Sequence, residues 1–259
     1  MLYKKYAKMH VKSAMQYKFN VMLLTFSSTL ISITEIISVW LLFLNFKSVG
    51  YWGFYEAALM FGIVTSCFAL VETFARGYDE FSTLIKDGTL DRMLIRPVNI
   101  HKQIFGSKIE FSRFGRVLLG LVVAIIALFN LNIQWTFFKV LVLLATFICG
   151  CLVIFGLILI SAGVSVFTVE NLEFLNVLTH GSKQLCYYPV NIYSKWLSRF
   201  FTFVIPVACF NYLPISYIMG YGNLPQIVYA LSPLIGALFV IPCIIFFNWC
   251  LKKYQGTGT

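Results

Sequence analysis

Six long apolar blocks, each bounded by charged or turn-forming residues, leave this chain one solvent in which it can fold. A helix needs roughly 20 apolar residues to cross the hydrocarbon of a bilayer, and the blocks at 20–46, 52–75, 116–133, 137–165, 198–216 and 227–251 reach or approach that length. The runs are continuous and do not alternate with polar residues, which in lipid selects the helix, whose backbone groups are satisfied within one segment. The expected fold is an all-α integral membrane protein of about six spans. With 259 residues, of which 59% are hydrophobic and 12% charged, no length remains for a sizeable soluble domain.

The expected organisation is one transmembrane domain over 1–259. It divides into an amphipathic interfacial helix at 1–19, spans 1 and 2 at 20–76, a polar segment at 77–115, spans 3 and 4 at 116–165, a second polar segment at 166–197, spans 5 and 6 at 198–251 and a tail at 252–259. At helical spacing Lys4, Lys5, Lys8 and Lys12 fall on one arc, with Leu2, Tyr3, Tyr6 and Tyr17 opposite. That pattern predicts a helix lying in the membrane surface with its lysines towards anionic lipid. The first apolar block is longer than the apolar core of a cleavable signal and lacks a small-residue cleavage pattern, so it reads as a retained span.

The formal charge of +10 does not call for nucleic acid. With the N-terminus inside, eighteen of the twenty Lys and Arg residues fall in cytoplasmic segments and only Lys47 and Lys139 lie outside, as the rule that basic residues stay cytoplasmic demands. Both termini are then cytoplasmic. The seven cysteines contain no C-x-x-C pair, so neither a disulfide framework nor a zinc site is indicated. Pro206, Pro214, Pro225, Pro233 and Pro242 interrupt the last two spans and the loop between them. The aromatic stretch Asn211 to Asn223 is compatible with short broken helices dipping into the outer leaflet or with a kinked pair of spans.

Enzyme signatures are missing: no phosphate-binding G-x-x-x-x-G-K-[ST], no H-E-x-x-H, no G-x-S-x-G and no G-x-G-x-x-G occurs. His10, His101 and His180 are scattered and read as ordinary polar residues. No cofactor or metal is expected in the chain itself. Arg92, Arg96, Arg113 and Arg116 have the chemistry to hold phosphate, as a membrane-embedded lipid-modifying enzyme requires, but the acids nearby are not spaced as metal ligands. A secondary transporter is the other alternative, without the inverted repeat that such folds carry.

The informative stretch is 77–103, GYDEFSTLIKDGTLDRMLIRPVNIHKQ. Asp79 and Glu80 at the start of a short helix and Lys86 near its end complement the helix dipole, Asp87 follows, and Gly88 is placed to close the helix in a left-handed conformation. A second short helix begins near Thr89 with Asp91 in its first turn, and it stops by Arg96 because Pro97 disfavours helical geometry before it. Phe81, Leu84, Ile85, Leu90, Met93, Leu94 and Ile95 give the hairpin an apolar side that needs something to bury against. The competing reading is a loop lying on lipid headgroups.

Within the first span, Thr25, Ser28, Ser32 and Glu35 share an arc of about 80° at helical spacing. Glu35 is the one carboxyl deep in a span, where an unpaired charge costs something like 2.5–3.5 kcal/mol. The stripe either lines a transport route or packs on a neighbouring helix through hydrogen bonds. Glu56 and Glu72, at span ends, are weaker candidates, and Gly120, Ala124 and Ala127 permit close helix packing in the third span.

The run G-T-L-D-R-M-L-I-R-P-V-N, followed by Gln103, Gly106 and Arg113 to Arg116, resembles the cytoplasmic signature of bacterial six-span permeases of the type-2 ABC exporter superfamily. It is similar in particular to the branch whose two permease genes accompany one ATPase gene. Tyr188–Pro189, Ile192–Tyr193, Phe203 to Pro206, Tyr212 and Pro214 carry a second match. The resemblance implies a permease in the bacterial inner membrane, working with two cytoplasmic ATPase subunits that bind ATP and Mg, and with a second permease, a different chain being favoured over an identical one. It also implies that the helix between spans 2 and 3 inserts into a groove of the ATPase, which places Asp79 to Pro97 at that contact. Arg92 departs from the acidic or apolar residue common after the signature's Leu-Asp.

Overall fold

The computed structural model describes residues 2–46, 48–168, 177–221 and 225–255, and the regular elements in them are helical. Lys47, residues 169–176 of the second polar segment, residues 222–224 of the aromatic stretch and residues 256–259 of the tail lie outside the described residues, as do the side chains of Lys4 and Lys5. In chain order the helices are α1 (Leu2–Gln16), α2 (Lys18–Asn45), α3 (Phe54–Phe74), α4 (Arg76–Asp79), α5 (Phe81–Lys86), α6 (Thr89–Leu94), α7 (Ile100–Ser107), α8 (Phe114–Asn130) and α9 (Phe137–Thr168). They continue as α10 (Ser182–Leu185), α11 (Lys195–Arg199), α12 (Val207–Phe210), α13 (Tyr212–Met219), α14 (Gln226–Ala237) and α15 (Val240–Lys253). Five stretches are long and apolar enough to cross a membrane, namely α2, α3, α8 with its preceding turn, α9, and α14 with α15 taken together.

α3 is the hub. Its membrane window is 89% buried, against 22% for α2 on the rim. The closest partner of α3 is α8, and small residues make that approach possible: a Cβ on Gly62 would stand 2.6 Å from the Gly120 carbonyl oxygen, and one on Gly120 would stand 2.4 Å from Ser66 Oγ. In lipid, where apolar area alone gives helices no reason to associate, such close backbone packing is a main source of adhesion. Ala124 and Ala127, both buried, belong to the same face of α8, as the sequence suggested.

α9 has 32 residues, about 48 Å at 1.5 Å per residue, and so outruns a hydrocarbon layer of about 30 Å. The second half of α9 supports the surface elements at the basic end of the bundle. Phe155 of α9 packs against Tyr78 and Phe105, bringing α4 and α7 onto that helix. α1 docks there too: a Cβ on Gly106 would meet the Tyr6 ring at 2.5 Å, and His10 Nε2 lies 2.9 Å from the Gly106 carbonyl oxygen. Tyr6 is therefore engaged with protein and not only with headgroups, while Lys8 and Lys12 remain exposed.

One expectation is refined and one changes. The block at 198–216 is not one straight span: the helical stretches Lys195–Val204 and Val207–Met219 meet at 76°. Pro206 at that break has no amide hydrogen to continue either helix. Lys183 is not in a solvated segment at the basic end. It is buried in the bundle with its Nζ on Glu35 of α2, while Tyr187 packs on Phe61 of α3 and Asn191 approaches Gly50 in the α2–α3 loop. Charge counting had placed it in water because its sequence neighbours are polar.

Candidate functional site

The hairpin at 76–98 is built as its sequence dictates. α5 ends at Lys86, Gly88 adopts φ +61, α6 starts at Thr89 with Asp91 in its first turn, and the helix is finished before Arg96 and Pro97. Its apolar residues divide between two faces. Phe81, Ile85, Leu90 and Met93 are buried in this chain and Leu84 packs partly against the same core, so they anchor the hairpin. Leu94 and Ile95 point away, 46% and 84% exposed, beside exposed Arg92, Arg96 and Pro97. Asp87 and Lys86 are exposed at the other end of the hairpin. The outward face is thus a small apolar knob flanked by two guanidinium groups.

The segment after the knob is held by Gln103, whose Nε2 donates to the carbonyl oxygens of Met93 and Val98, both at 2.9 Å. This amide fixes the turn through Arg96–Pro97 from below. Asn99 caps α7 by accepting from the His101 amide at 2.9 Å. A Cβ on Gly77 would lie 2.1 Å from the Ile104 carbonyl oxygen, so α4 and α7 are in backbone contact. His101, read from sequence as an ordinary polar residue, bridges two elements. Its Nε2 lies 2.9 Å from Asn248 Oδ1 on α15 and its Nδ1 lies 2.7 Å from the Tyr78 hydroxyl. Because the amide oxygen only accepts, Nε2 donates and Nδ1 accepts from Tyr78.

A charge network joins the root of the hairpin to the start of α8. Arg76 contacts Asp79, Glu80 at 2.8 Å and Glu110 at 2.8 Å; Lys108 reaches Glu80; Arg113 lies 3.4 Å from Glu110; and Arg116 is paired with Glu72. Burial works against the Arg76 charge, but Asp79, Glu110 and Glu80 together hold its pKa above the usual value. Burial likewise works upward on Glu110, yet Arg76, Arg113 and Ser112 outweigh it and bring that carboxyl below the ordinary range. For Asp79 burial wins over Arg76, and its pKa is raised. Asp79 and Glu80, expected at a partner contact, are therefore also committed to this internal network.

The polar stripe on α2 resolves residue by residue. Thr25 Oγ1 donates to the Val21 carbonyl, and its methyl lies against Gly115. Ser28 is buried and donates to the Ser112 carbonyl oxygen at 3.0 Å. Ser32 is fully buried. Glu35 accepts from Lys183 Nζ at 3.1 and 3.0 Å and from the Tyr187 hydroxyl at 2.8 Å. Thr25 and Ser28 make helix-packing contacts, and Glu35 is the centre of a partly buried polar triad. Lys183 and Tyr187 were missed in the sequence. The available signal was that a lone carboxyl in a span requires a basic partner from elsewhere in the chain.

No group of three or more His, Cys, Asp or Glu among the described residues is arranged to hold a metal ion. The profile of a family described as ABC-2 family transporter protein matches residues 29–258, almost the whole chain. Neither a curated protein nor a solved structure matches it.

Proposed function

The chain belongs to the ABC-2 transporter family and is a membrane-spanning transport subunit; on that premise we propose that it is an exporter permease driven by ATP hydrolysis on a separate subunit. The reading places the N- and C-termini in the cytoplasm, because Lys and Arg crowd the end that carries α1, α4 to α7 and the close of α15. ATP and Mg are held by two cytoplasmic ATPase subunits, and a second permease, a different chain being favoured, completes the assembly in the inner membrane. The cargo class is hydrophobic or amphipathic.

One observation carries the ATPase contact: a hairpin firmly anchored by Phe81, Ile85, Leu90 and Met93 leaves Leu94 and Ile95 uncovered between Arg92 and Arg96. An apolar knob ringed by charge is the composition of an interface core with its rim. ATP-driven closure of the ATPase pair moves the docked hairpin, and the anchors pass that motion to α3, α9 and α15. Substituting Leu94→Asp or Ile95→Asp removes the knob without touching the anchors. Co-purification with the ATPase is expected to fall by about tenfold or more, the effect of a hot-spot loss of roughly 2 kcal/mol. Undiminished co-purification in both variants overturns the assignment.

A further inference from the structure

At the end of the bundle opposite the hairpin lies a cavity of about 600 Å³ between the first turn of α3, the α8–α9 loop, the first turn of α9 and the end of α13. Glu56 and Lys139 both line it, together with Asn130, Asn132, Gln134 and Tyr221. The size is that of an ordinary small-molecule site, about 300–1,000 Å³. Its chemistry is unusual for this chain, because charges of both signs and three carboxamides converge in a protein that is only 12% charged.

The two charges do not neutralise each other. Lys139 is half-buried, its amide donates to the Thr136 carbonyl oxygen, and its side chain makes no ion pair or hydrogen bond among the described residues. Glu56 Oε2 accepts from the Gly53 amide at 3.0 Å, and its Oε1 accepts only from the Tyr221 hydroxyl at 3.4 Å. Asn130 donates to the Ile126 carbonyl oxygen, which leaves its own carbonyl oxygen available. A half-buried ammonium without a counter-charge is free to take up an anion. A carboxylate in the same cavity repels a simple anion and needs a cation. A ligand carrying both charges satisfies the two at once.

We propose that this cavity binds a zwitterion with a primary ammonium and a phosphate, the ammonium held by Glu56 and the phosphate by Lys139, with the carboxamides completing the hydrogen bonds. The same chemistry comes from two sources, a phosphatidylethanolamine headgroup at the membrane surface or a free phosphoethanolamine group. The site does not depend on ATP coupling or on the hairpin contact.

The test uses the full chain in nanodiscs of phosphatidylglycerol, titrated calorimetrically with O-phosphoethanolamine. In parallel, nanodiscs containing phosphatidylethanolamine are extracted and the lipid retained by the chain is weighed by native mass spectrometry. Saturable binding in the first arm identifies the free group, and selective retention in the second identifies the lipid; either supports the proposal. Lys139→Gln is expected to weaken binding about tenfold, equivalent to about 1.4 kcal/mol, and Lys139→Arg to restore most of it. Glu56→Gln keeps an acceptor for the Gly53 amide and is expected to weaken binding similarly; should it fail to fold, Lys139→Gln decides alone. Binding in neither arm, equal binding by Lys139→Gln, or equally tight binding of inorganic phosphate overturns the proposal.

Discussion

Removing one member of a buried ion pair costs more than removing both, because the survivor keeps its desolvation without its partner. Glu35 and Lys183 meet that condition in part: Lys183 is 5% exposed and its Nζ sits 3.0 Å from Glu35, whose side chain is 19% exposed. Lys183→Met leaves the partly buried Glu35 carboxylate with only the Tyr187 hydroxyl, and a loss of about 2–3 kcal/mol is expected, below the range for a fully buried pair. Lys183→Met combined with Glu35→Gln removes both charges while Gln still accepts from Tyr187, so most of that loss should be recovered. Thermal unfolding of the two proteins in one detergent checks it, and a double variant as unstable as the single one would show that the pair is not the relevant contact. Glu35 was legible in the sequence as the lone carboxyl in an apolar block. Its partner was not, since loops are read as solvated by default and nothing in S-K-Q-L announces that this stretch is buried in the bundle.

Helices were legible where one physical constraint dominated. α2, α3, α8 and α9 followed from apolar length alone, and the hairpin followed from Gly88 and Pro97, whose backbone restrictions hold in any surroundings. At 198–216 the interruption was legible from Pro206 but its angle was not, because hydropathy carries no direction: Phe201, Ile205, Val207 and Phe210 are all buried, yet the chain turns by 76° between them. The α3–α8 contact could be anticipated only as a stripe of small residues on α8, because Gly62 and Ser66 had to be matched to it in space. That seam has a direct test. Gly120→Leu must displace Ser66 Oγ and the Gly62 carbonyl oxygen, which would lie 2.4 and 2.8 Å from its Cβ. Forcing extra bulk into so tight a contact should cost about 1–3 kcal/mol. Leu118→Ala, on the exposed side of the same helix, should leave the unfolding temperature nearly in place. Equal effects from the two would mean that the close approach does not hold α3 to α8.

Across the molecule, the hairpin can act on the spans only if it moves with them, and the joints are unevenly distributed. Arg76, Glu110, Arg113 and Arg116 tie its root to α8 and α3, and Tyr78 with His101 ties it to α15, whereas α2 is attached at that end by uncharged contacts alone, Ser28 on the turn preceding α8 and Thr25 and Thr29 on Gly115. A force applied at Leu94 and Ile95 should therefore reach the α3–α8–α9–α15 core before it reaches α2. Arg76→Gln separates docking from transmission: the knob survives, so the ATPase should stay bound within about twofold, while stimulation of its hydrolysis by transport should fall about tenfold, the scale of an allosteric coupling of 1–3 kcal/mol. Leu94→Asp, by contrast, should lose both. Acid acts on the same joint. Glu110 has its pKa held below the ordinary value, so its contribution is complete above the unfolded pKa and is lost as pH falls through the folded one. Protection factors over 76–113, which take out the intrinsic slowing of amide exchange in acid, should then fall at acid pH in the parent and change less in Glu110→Gln. Asp79, with a raised pKa, contributes with the opposite sign, which makes the Glu110 variant the cleaner probe. Retained coupling in Arg76→Gln would mean that motion passes through the buried anchors and that the charges serve only to seat the hairpin.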